Sequence, residues 1–390
     1  MHALKEEIRR CAAVLGFELC HFTRPILAEH HRTGLDRWID AGMYGEMGYM
    51  AEAERSERRR QPESMLPHVR SVISLAMRHA APSYTLDQSL AARGRGAIAA
   101  YAHGDDYHET MKRSLKTLAV ELDRLLGVHA QRVYVDTAPV LEHALAASAG
   151  LGWQGKHTLT IDRKFGSFFL LGEIFTTAEI EPDPPASSHC GRCTRCLDSC
   201  PTGAIVAPYV VDARHCISYL TIEYNGEIPR ELRSNIGNRI FGCDDCQLVC
   251  PWNGELPLCD NDRLFPRPEN SLPDLDELFA LNEAEFKERF RRSPIRRSGF
   301  SGLRRNIAVA MGNSGEGRFI PVLLAALNDS TPLVRQHAVW GLGVLCSRSG
   351  NPYPDKGDIV CALRYHLASE QTAEVAEEIG LALRLIEESP

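Results

Sequence analysis

The sequence predicts an α+β protein in three segments: an α+β domain over residues 1–185, a cysteine-rich module over 186–260 and an all-helical region over 261–390. Three observations lead to this prediction. Helix and strand periodicities alternate up to about residue 180, the middle segment has little apolar periodicity, and helical periodicity alone remains from about Gly302. A chain of 390 residues, of which 44% are hydrophobic, is long enough to form two or three cores.

The first segment combines amphipathic helices with short β-rich runs. Apolar residues recur at helical spacing in two stretches, from Leu4 to Leu15 and from Met111 to Leu125. The predicted strands are Ser71–Met77, Arg132–Val135 and Ser167–Thr176. The proline-rich stretch 181–185 then predicts a stiff linker to the next segment.

The middle segment contains two short runs of cysteines and one cysteine between them. The cysteines are Cys190, Cys193, Cys196 and Cys200 in the first run, Cys216 alone, and Cys243, Cys246 and Cys250 in the second run. The first run, with Pro201 after it, has the C-x2-C-x2-C-x3-C-P spacing of bacterial two-cluster ferredoxins, and Pro251 follows the second run. This spacing predicts a ferredoxin-like module that holds two [4Fe-4S] clusters and transfers single electrons.

The same pattern predicts which cysteines share a cluster, because the last cysteine of each run ligates the cluster of the other run. One cluster is predicted to have the ligands Cys190, Cys193, Cys196 and Cys250. The other is predicted to have the ligands Cys200, Cys216, Cys243 and Cys246.

Zinc binding and disulfide bonding are the alternative uses of these cysteines. Zinc sites normally use two separated C-x2-C pairs, without a third cysteine two residues further on. Disulfides require an oxidising compartment, and the N-terminal residues have no apolar export signal. No apolar stretch approaches the roughly 20 residues of a membrane span. We therefore expect a cytoplasmic protein with reduced thiols.

The last segment repeats a helical pattern. Residues 304–312 are echoed by residues 335–343, and a third amphipathic helix is predicted over 374–386. Helical pairs of this kind stack as HEAT-like repeats, because a single pair cannot bury its apolar face alone. A plain helical bundle would give the same periodicity and is the alternative.

Two basic clusters stand out against a formal net charge of -7, which argues against indiscriminate binding of nucleic acid. One cluster lies between Arg55 and Arg60, where a solvated face explains it equally well. The denser cluster lies between Lys287 and Arg305, with few acidic residues to neutralise it. Its density predicts a surface that binds phosphates.

A strand followed by a glycine-rich loop indicates where the clusters send their electrons. The strand predicted at Arg132–Val135 ends on Asp136, and Pro139 predicts the start of the next helix. The loop 150–157, with the sequence GLGWQGKH, would let a large flat ligand approach its backbone. An ordinary helix N-cap is the alternative role for Asp136. Neither a dinucleotide fingerprint nor a Walker loop occurs here, which argues against nicotinamide or ATP.

These motifs resemble those of the epoxyqueuosine reductase family, the cobalamin-dependent iron–sulfur enzymes of the last step of queuosine synthesis in tRNA. The resemblance covers nearly the whole chain. The matching residues are 135–137, 150–153, 156, 166–167, 190–204, 214–221, 236–239 and 242–247. The resemblance implies that the first segment binds cobalamin and that Asp136 is the proton donor. A carboxyl group with that role needs a raised pKa, so we expect Asp136 to be buried beneath the corrin.

The resemblance also implies a set of corrinoid contacts and a reaction. The predicted contacts are Arg59, Asp136, Lys156, Thr160, Leu171, Ser218, Thr221, Arg233, Asp244 and Asp245. The clusters would reduce the cofactor to cob(I)alamin, which attacks the epoxide of epoxyqueuosine at the wobble position and leads to the alkene of queuosine. A dehalogenase-like cobalamin reductase and an electron-carrier or scaffold protein are the alternative functions.

The implied partners are a tRNA with a queuosine-type anticodon and a cellular one-electron donor such as a flavodoxin or ferredoxin. The predicted tRNA-binding residues are Arg291, Arg292, Arg296, Arg297, Arg304 and Arg305. No membrane association is expected, and we expect a monomer.

Overall fold

Contacts within the chain divide it into two units, and neither unit is one continuous stretch of sequence. The computed structural model describes residues 2–259, 264, 266–348 and 356–389. The first unit comprises Met1–Ala81, His103–Cys216 and Asp244–Pro266, and the second comprises Pro82–Ala102, Ile217–Cys243 and Arg267–Pro390. Both units therefore contain parts of more than one predicted segment, and the segment boundaries at 185 and 260 remain predictions.

Helices and strands alternate in the first unit, and helices dominate the second. The strands of the described residues are β1 Leu19–Thr23, β2 Ser71–Arg78, β3 Ala97–Ile98, β4 Gln131–Val135, β5 Trp153–Gln154, β6 Thr160–Ile161, β7 Phe169–Thr176, β8 Ile205–Ala207, β9 Val210–Val211 and β10 Arg239–Phe241. The α-helices are α1 His2–Val14, α2 Glu29–Asp40, α3 Ala53–Arg60, α4 Leu86–Ala91, α5 Tyr107–Leu126, α6 Glu142–Ser148, α7 Arg195–Asp198, α8 Ile217–Ile222, α9 Arg230–Ile236, α10 Asp245–Leu248, α11 Leu275–Phe279, α12 Glu283–Arg289, α13 Gly299–Ser314, α14 Ile320–Ala325, α15 Pro332–Ser347, α16 Lys356–Ser369 and α17 Ala373–Glu387.

A four-stranded antiparallel sheet with the order β1-β2-β7-β4 forms the centre of the first unit. The three strands predicted from the sequence correspond to β2, β4 and β7, and their bounds shift by at most two residues. The inner strand β2 is buried along its whole length, and β7 is almost completely buried. The two long helices predicted in this segment are α1 and α5.

The two faces of the sheet pack against different helices, because successive side chains of a strand point to opposite faces. A Cβ atom added to Gly172 of β7 would lie 3.0 Å from Leu115 and 3.1 Å from Met111, so this side of β7 faces α5. Phe175 packs with Leu145 of α6 on the opposite face. The face beneath α6 is the one that carries the functional side chains described below.

A row of polar residues crosses the sheet on the α6 face. In the strand register His21 of β1 is opposite Ser74 of β2, Ser74 is opposite Glu173 of β7, and Glu173 is opposite Tyr134 of β4. Ser74 and Glu173 are completely buried. Buried polar groups normally have hydrogen-bond partners, so a row of this kind within a sheet indicates a function other than packing.

The predicted stiff linker 181–185 is docked on the first unit, a contact that the sequence did not predict. The carboxylate of Asp183 forms ion pairs with Lys5 and with Arg9, at 2.9 Å for Arg9. The backbone N–H of Asp183 donates to the carbonyl oxygen of Phe22 at 2.8 Å. These ion pairs lower the pKa of Asp183 against the effect of burial. The strap 181–185 is thereby fixed to α1 and β1.

The second unit has a core of stacked helices in which α13, α15 and α17 contain the three predicted repeat helices. The helices α13 and α15 approach very closely at a pair of glycines. A Cβ atom added to Gly312 would lie 2.7 Å from the Cα atom of Gly341, too close for any side chain. Within the described ranges, every helix is too short or too polar to traverse a bilayer.

Candidate active site and cluster ligands

Asp136 lies directly after β4, at the edge of the polar row, and its carboxyl group has two side-chain donors. The Tyr107 hydroxyl donates to Asp136 Oδ2 at 2.7 Å, and His108 Nε2 lies 3.2 Å from the same oxygen. The helix α6 begins at Glu142, and its N-cap is Leu141 without a side-chain cap bond. The predicted helix start at Pro139 and the alternative role of Asp136 as an N-cap are therefore both wrong.

The protein alone does not bury Asp136, whose side chain is 59% exposed. This differs from the expectation of a buried carboxyl group. Burial by the corrin was part of that expectation, so the exposure of Asp136 locates the open side of the site. The residues that do surround Asp136 come from the start of α5.

The beginning of α5 places three polar residues around Asp136. Asp106 is the N-cap of α5, and its side chain accepts the backbone N–H of His108 at 3.0 Å. Asp106 Oδ1 also lies 2.7 Å from His108 Nδ1. Asp106, Tyr107 and His108 are not among the site residues predicted from the sequence. An aspartate just before a recognised amphipathic helix is an N-cap signal that could have drawn attention to them.

The imidazole of His108 lies between two carboxylates. Burial lowers its pKa, but the hydrogen bonds to Asp106 and Asp136 outweigh burial and raise the pKa of His108 to about 9. Both ring nitrogens face carboxylate oxygens, an arrangement that only the doubly protonated ring satisfies with two donors. His108 is therefore a cation at neutral pH, and its proton is within hydrogen-bond distance of Asp136.

A second group of acids lies behind Asp136, on the α6 face of the sheet. No donor of the described chain reaches Glu142 Oε1 or either carboxyl oxygen of Glu173. The backbone N–H of Asp136 faces the Glu142 carboxyl group and acts to lower its pKa. Burial raises the pKa values of both glutamates, and the proximity of Glu173 raises that of Glu142 further. A proton shared by the two carboxyl groups supplies the missing hydrogen bond.

The glycines of the loop 150–157 allow close internal packing, and their predicted role of letting a ligand approach remains a prediction. A Cβ atom added to Gly152 would lie 2.5 Å from the carbonyl oxygen of Ile161, where β5 and β6 pair. Lys156 extends from this loop and donates from Nζ to the carbonyl oxygens of Gly191 and Cys193, at 2.9 and 2.8 Å. The loop is thereby attached to the first cysteine run.

Buried donors near this loop fit a bound polar cofactor. Neither Trp153 Nε1 nor His157 Nε2 has a hydrogen-bond partner within the described ranges, although both atoms are buried. Burial lowers the pKa of His157 to about 4, so its ring is neutral. Its Nδ1 accepts the backbone N–H of Leu159, which leaves Nε2 as the protonated nitrogen. A donor of this kind requires an acceptor that the chain itself does not provide.

Three further predicted corrinoid contacts lie in the first unit and are largely buried. Thr160 Oγ1 is 2.8 Å from His143 Nδ1, and burial lowers the pKa of that histidine to about 4. Leu171 packs with Phe169 on the α6 face of β7. Arg59 is 4% exposed, and its guanidinium donates to the carbonyl oxygens of Tyr49 and Arg55 over a long distance of 3.4 Å.

Seven of the eight predicted cluster cysteines belong to the first unit, and the eighth, Cys243, belongs to the second. Burial raises the pKa of the Cys250 thiol, and the nearby thiols of Cys190, Cys193 and Cys196 raise it further. Cys250 also packs with Cys190 around Trp153. The crossing of Cys250 to the cluster of the first run remains a prediction.

The other predicted group includes Cys246 and Cys216. Burial raises the pKa of Cys246 well above its usual value, and Cys216, Asp244 and Asp245 add to this effect. The sulfur of Cys200 accepts the backbone N–H of Ala204 at 3.3 Å. Cys243 is the last residue of the stretch Ile217–Cys243, which belongs to the second unit, and Asp244 begins the next stretch of the first unit. Within the described part of the chain, no three His, Cys, Asp or Glu side chains are close enough together to hold a single metal ion.

The predicted corrinoid contacts of the second unit have partners within that unit. Thr221 Oγ1 donates to the carbonyl oxygen of Ile217 at 2.7 Å and accepts the backbone N–H of Gly242 at 2.9 Å. Arg233 is completely buried, and its guanidinium pairs with Glu378 at 2.8 Å and with Glu227 at 2.6 Å. Ser218 is half-buried on α8.

The predicted tRNA-binding arginines divide into exposed and buried members. The exposed members are Arg291, Arg292, Arg296 and Arg297. Arg297 pairs with Glu223 at 2.5 Å, and Arg304 is mostly buried against Phe279 and pairs with Asp329. Arg305 is 1% exposed, and its guanidinium donates to carbonyl oxygens of the second unit. A phosphate contact by Arg305 would require all of these bonds to break, so we remove it from the predicted tRNA surface.

Three family models match the chain. Residues 59–137 match the model described as epoxyqueuosine reductase QueG, DUF1730. Residues 189–253 match a 4Fe-4S double cluster binding domain, and residues 319–349 match a HEAT repeat. The fold and the cysteine groups thus define an iron–sulfur oxidoreductase with a C-terminal helical repeat.

Individual relatives specify this class further. The epoxyqueuosine reductase of Xanthomonas campestris is 45% identical over 86% of this chain and 94% of its own length. A crystal structure of epoxyqueuosine reductase with an epoxyqueuosine-modified tRNA-Tyr stem loop is 30% identical, with a TM-score of 0.88 over 99% of both chains. The Bacillus subtilis enzyme, solved with its catalytic aspartate loop swung out of the active site, has a TM-score of 0.87, 30% identity and 99% coverage of both chains.

The chain belongs to the epoxyqueuosine reductase family. The family is cobalamin-dependent, and the double-cluster domain supports two [4Fe-4S] clusters in this chain. Membership favours the reductase over the dehalogenase-like and electron-carrier alternatives.

Proposed function

We propose that this protein reduces the epoxide of epoxyqueuosine at the wobble position of tRNA to the alkene of queuosine. The observation that carries the proposal is the position of Asp136. Its carboxyl group lies at the open edge of the polar row, between the Tyr107 hydroxyl and the protonated His108, in the unit that contains most of the cluster cysteines. An exposed acid with a proton beside it is suited to protonate an oxygen that leaves a carbon atom.

The residues of the chain hold the cofactors and move the protons. When bound, cobalamin supplies a cobalt nucleophile that the two clusters reduce one electron at a time. Lys156, Thr160 and Leu171 would contact it, together with the buried donors Trp153 Nε1 and His157 Nε2, which fit the amide groups of a corrin. Arg59, Asp244 and Asp245 remain in the proposed contact set, as do Ser218 and Thr221. A contact by Arg233 would compete with its ion pairs to Glu378 and Glu227.

Asp136 is the proposed proton donor to the epoxide oxygen. As the C–O bond of the ring breaks, charge develops on the oxygen, and Asp136 protonates it. Tyr107 holds Asp136 Oδ2 in place by its hydrogen bond. The Bacillus subtilis relative was solved with its catalytic aspartate loop swung out of the active site, and we propose that the Tyr107 contact keeps the Asp136 loop in its working position.

The tRNA is proposed to contact the exposed arginines of the second unit. Arg291, Arg292, Arg296 and Arg297 lie within seven consecutive residues and offer fixed positive charge to the anticodon arm. Arg304 is a secondary member, because Phe279 and Asp329 cover most of its side chain. Flipping the wobble base out of its stack costs a few kcal/mol, which several phosphate contacts can offset.

The physiological setting that we propose is a cytoplasmic monomer reduced by a one-electron donor such as a flavodoxin or ferredoxin. Each cluster carries one electron at a time, so a donor of this kind matches the two-electron reduction in two steps. The proposed electron donor can be tested by adding reduced, purified flavodoxin to the reconstituted protein and following the reduction of the protein in its visible spectrum.

The experiment that tests the proposed function is single turnover of epoxyqueuosine tRNA by anaerobically reconstituted protein. The wild type should bind cobalamin, show cluster absorbance and produce queuosine. The variant Asp136→Asn should keep both cofactors and tRNA binding, but its turnover should fall by about 10²- to 10⁴-fold, because an amide cannot donate a proton as an acid. The exposed Asp40→Asn serves as the matched control and should retain wild-type turnover. Near-normal turnover by Asp136→Asn would contradict the assigned role.

A further inference from the structure

The proposed reaction needs more protons than Asp136 can hold. Conversion of an epoxide to an alkene consumes two electrons and two protons, and the products are the alkene and one water molecule. The first proton converts the opened ring oxygen into a hydroxyl group. The second converts the departing hydroxide into water. The clusters supply the electrons, and a single carboxyl group supplies only one proton before it must be recharged.

His108 is positioned to recharge that carboxyl group. Its Nε2 atom is 3.2 Å from Asp136 Oδ2, and its Nδ1 atom is 2.7 Å from Asp106 Oδ1. The ring stacks on the Tyr107 ring, with centroids 4.0 Å apart and an interplanar angle of 24°. The side chain of His108 is 24% exposed, so its ring also reaches solvent. The chain Asp106–His108–Asp136 thus connects water to the proposed acid.

We propose that His108 is a proton-relay residue that returns a proton to Asp136 within each turnover, while Asp106 holds its ring in position. The proposal rests on the proposed function and deepens it. His108 acts through Asp136 and does not touch the substrate, so it is a positioning residue. The transferred proton leaves His108 Nε2, passes to Asp136 Oδ2 and ends on the oxygen that departs as water. His108 regains its proton from solvent.

The charges around His108 support its assignment as a proton-relay residue. The charged groups that face His108 are Asp106 at the start of its own helix and Asp136 from the end of β4, and both are acids. They raise the pKa of His108 to about 9 against the effect of burial. The ring therefore carries its proton below about pH 9 and loses it as the pH rises through that value. At neutral pH His108 and Asp136 together hold a transferable proton even while Asp136 is a carboxylate.

Two variants separate a relay from a purely structural contact. His108→Gln keeps an N–H group near the position of Nε2, but an amide cannot exchange a proton with Asp136. Asp106→Asn retains the histidine and removes one of the two carboxylates that raise its pKa. Tyr107→Phe is the matched control, because it removes a hydrogen bond to the same Asp136 oxygen without removing the relay.

The first measurement is the pH dependence of single turnover by cofactor-loaded protein, from mildly acidic to clearly alkaline pH. Wild-type turnover should fall as the pH rises through about 9. Turnover by His108→Gln at neutral pH should be at least about tenfold slower and should lack this alkaline limb. Asp106→Asn should move the limb to lower pH, whereas Tyr107→Phe should lower turnover without moving it. A His108→Gln variant with the wild-type rate and the wild-type limb would overturn the relay.

The second measurement does not depend on activity. Titration of the His108 imidazole by ¹⁵N NMR in the cofactor-free protein should give a pKa of about 9 in the wild type. The value should be lower in Asp106→Asn and in Asp136→Asn, and unchanged in the exposed control His30→Gln. An ordinary imidazole pKa in the wild type would overturn the relay.

The two levels of proposal fail differently. Cofactor-loaded wild-type protein that leaves epoxyqueuosine tRNA unchanged would overturn the proposed function, and the relay with it. Wild-type protein that is active while His108→Gln and Asp106→Asn keep its pH profile would overturn the relay alone.

Discussion

The two units bury charged side chains in opposite ways. In the second unit, Arg305 donates to the carbonyl oxygens of Leu220, Tyr224 and Gly226 at 2.6 to 2.8 Å, and every one of these bonds lies within the unit. In the first unit, no described donor reaches three carboxyl oxygens of the buried pair Glu142 and Glu173. The second unit uses buried charge as a fixed support. In the first unit, the buried carboxyl groups of Glu142 and Glu173 obtain a hydrogen bond only when they carry a proton. They lie behind Asp136, the proposed proton donor.

The difference explains how one chain can combine a rigid scaffold with a reactive site. A buried cation with several hydrogen-bond acceptors stabilises one conformation, because removing the cation leaves its acceptors unpaired and removing the acceptors leaves the cation unpaired. A buried acid without a donor costs stability whenever it ionises, and its retention indicates a functional use. Stability measurements on the two units should therefore respond to charge removal with opposite signs.

The largest effect is expected from Arg305→Met in the second unit. This change leaves the carbonyl oxygens of Leu220, Tyr224 and Gly226 without their donor, and we expect the free energy of unfolding to fall by about 3–5 kcal/mol. Denaturant unfolding monitored by circular dichroism measures it. The control Arg364→Met removes an exposed arginine from α16 and should change the free energy by less than about 0.5 kcal/mol. Equal effects would contradict a structural role for Arg305.

The opposite sign is expected from Glu173→Gln in the first unit. Burial raises the pKa of Glu173 from 4.5 to about 8, so the folded state binds a proton that the unfolded state releases. This contribution to stability is complete below about pH 4.5 and is lost as the pH rises to about 8. The amide cannot ionise and can donate to Glu142, so the variant should be more stable at about pH 8 by about 1–3 kcal/mol.

The difference between Glu173→Gln and the wild type should shrink at about pH 5, where the wild-type acid keeps its proton. Thermal unfolding at both pH values measures this dependence. The exposed Glu63→Gln is the control and should show no pH-dependent gain. A loss of stability by Glu173→Gln at the higher pH would mean that the first unit also uses its buried charge as support, and the contrast between the units would disappear.

The smallest effect on folding is expected from the exposed arginines of the second unit. Replacing Arg291, Arg292, Arg296 and Arg297 by Gln should change the free energy of unfolding by less than about 0.5 kcal/mol per site. Binding of tRNA should weaken, and the slope of log affinity against log salt should become shallower by roughly 0.7–0.9 for each phosphate that the variant no longer neutralises.

A matched set of substitutions controls for net charge. Replacing four arginines of the first unit by Gln changes the net charge equally and should leave the salt slope unchanged. These are Arg10, Arg24, Arg70 and Arg124, whose side chains are 42% to 74% exposed. Identical slopes for both quadruple variants would show that tRNA binds elsewhere.

Local sequence patterns predicted the elements of the fold well. Alternation and length identified β2, β4 and β7, and apolar spacing identified α1, α5 and the three repeat helices. The cysteine spacing similarly identified the cluster module, because the ligands of an iron–sulfur cluster lie in short sequence motifs. The docking of the strap 181–185 was not predicted, because proline content indicates a stiff segment and does not indicate what the segment contacts.

The surroundings of the proposed acid could not be predicted in the same way. Ser74 and Glu173 meet only through the antiparallel register of β2 and β7, and a long stretch of sequence separates them in the chain. The contact between His108 and Asp136 depends on where α5 begins relative to the end of β4. A sequence pattern encodes which face of an element is buried, but the tertiary arrangement decides which polar groups meet there.

The docking of the strap has a consequence for dissecting the protein into fragments. A truncated chain that ends before Asp183 would leave Lys5 and Arg9 without their shared carboxylate and the carbonyl oxygen of Phe22 without its donor. Such a fragment would contain the complete sheet β1-β2-β7-β4, but polar groups on α1 and β1 would lack their partners. Expression of the sheet as an autonomous module therefore requires a boundary beyond Ala186, whose backbone N–H donates to the carbonyl oxygen of Ala147.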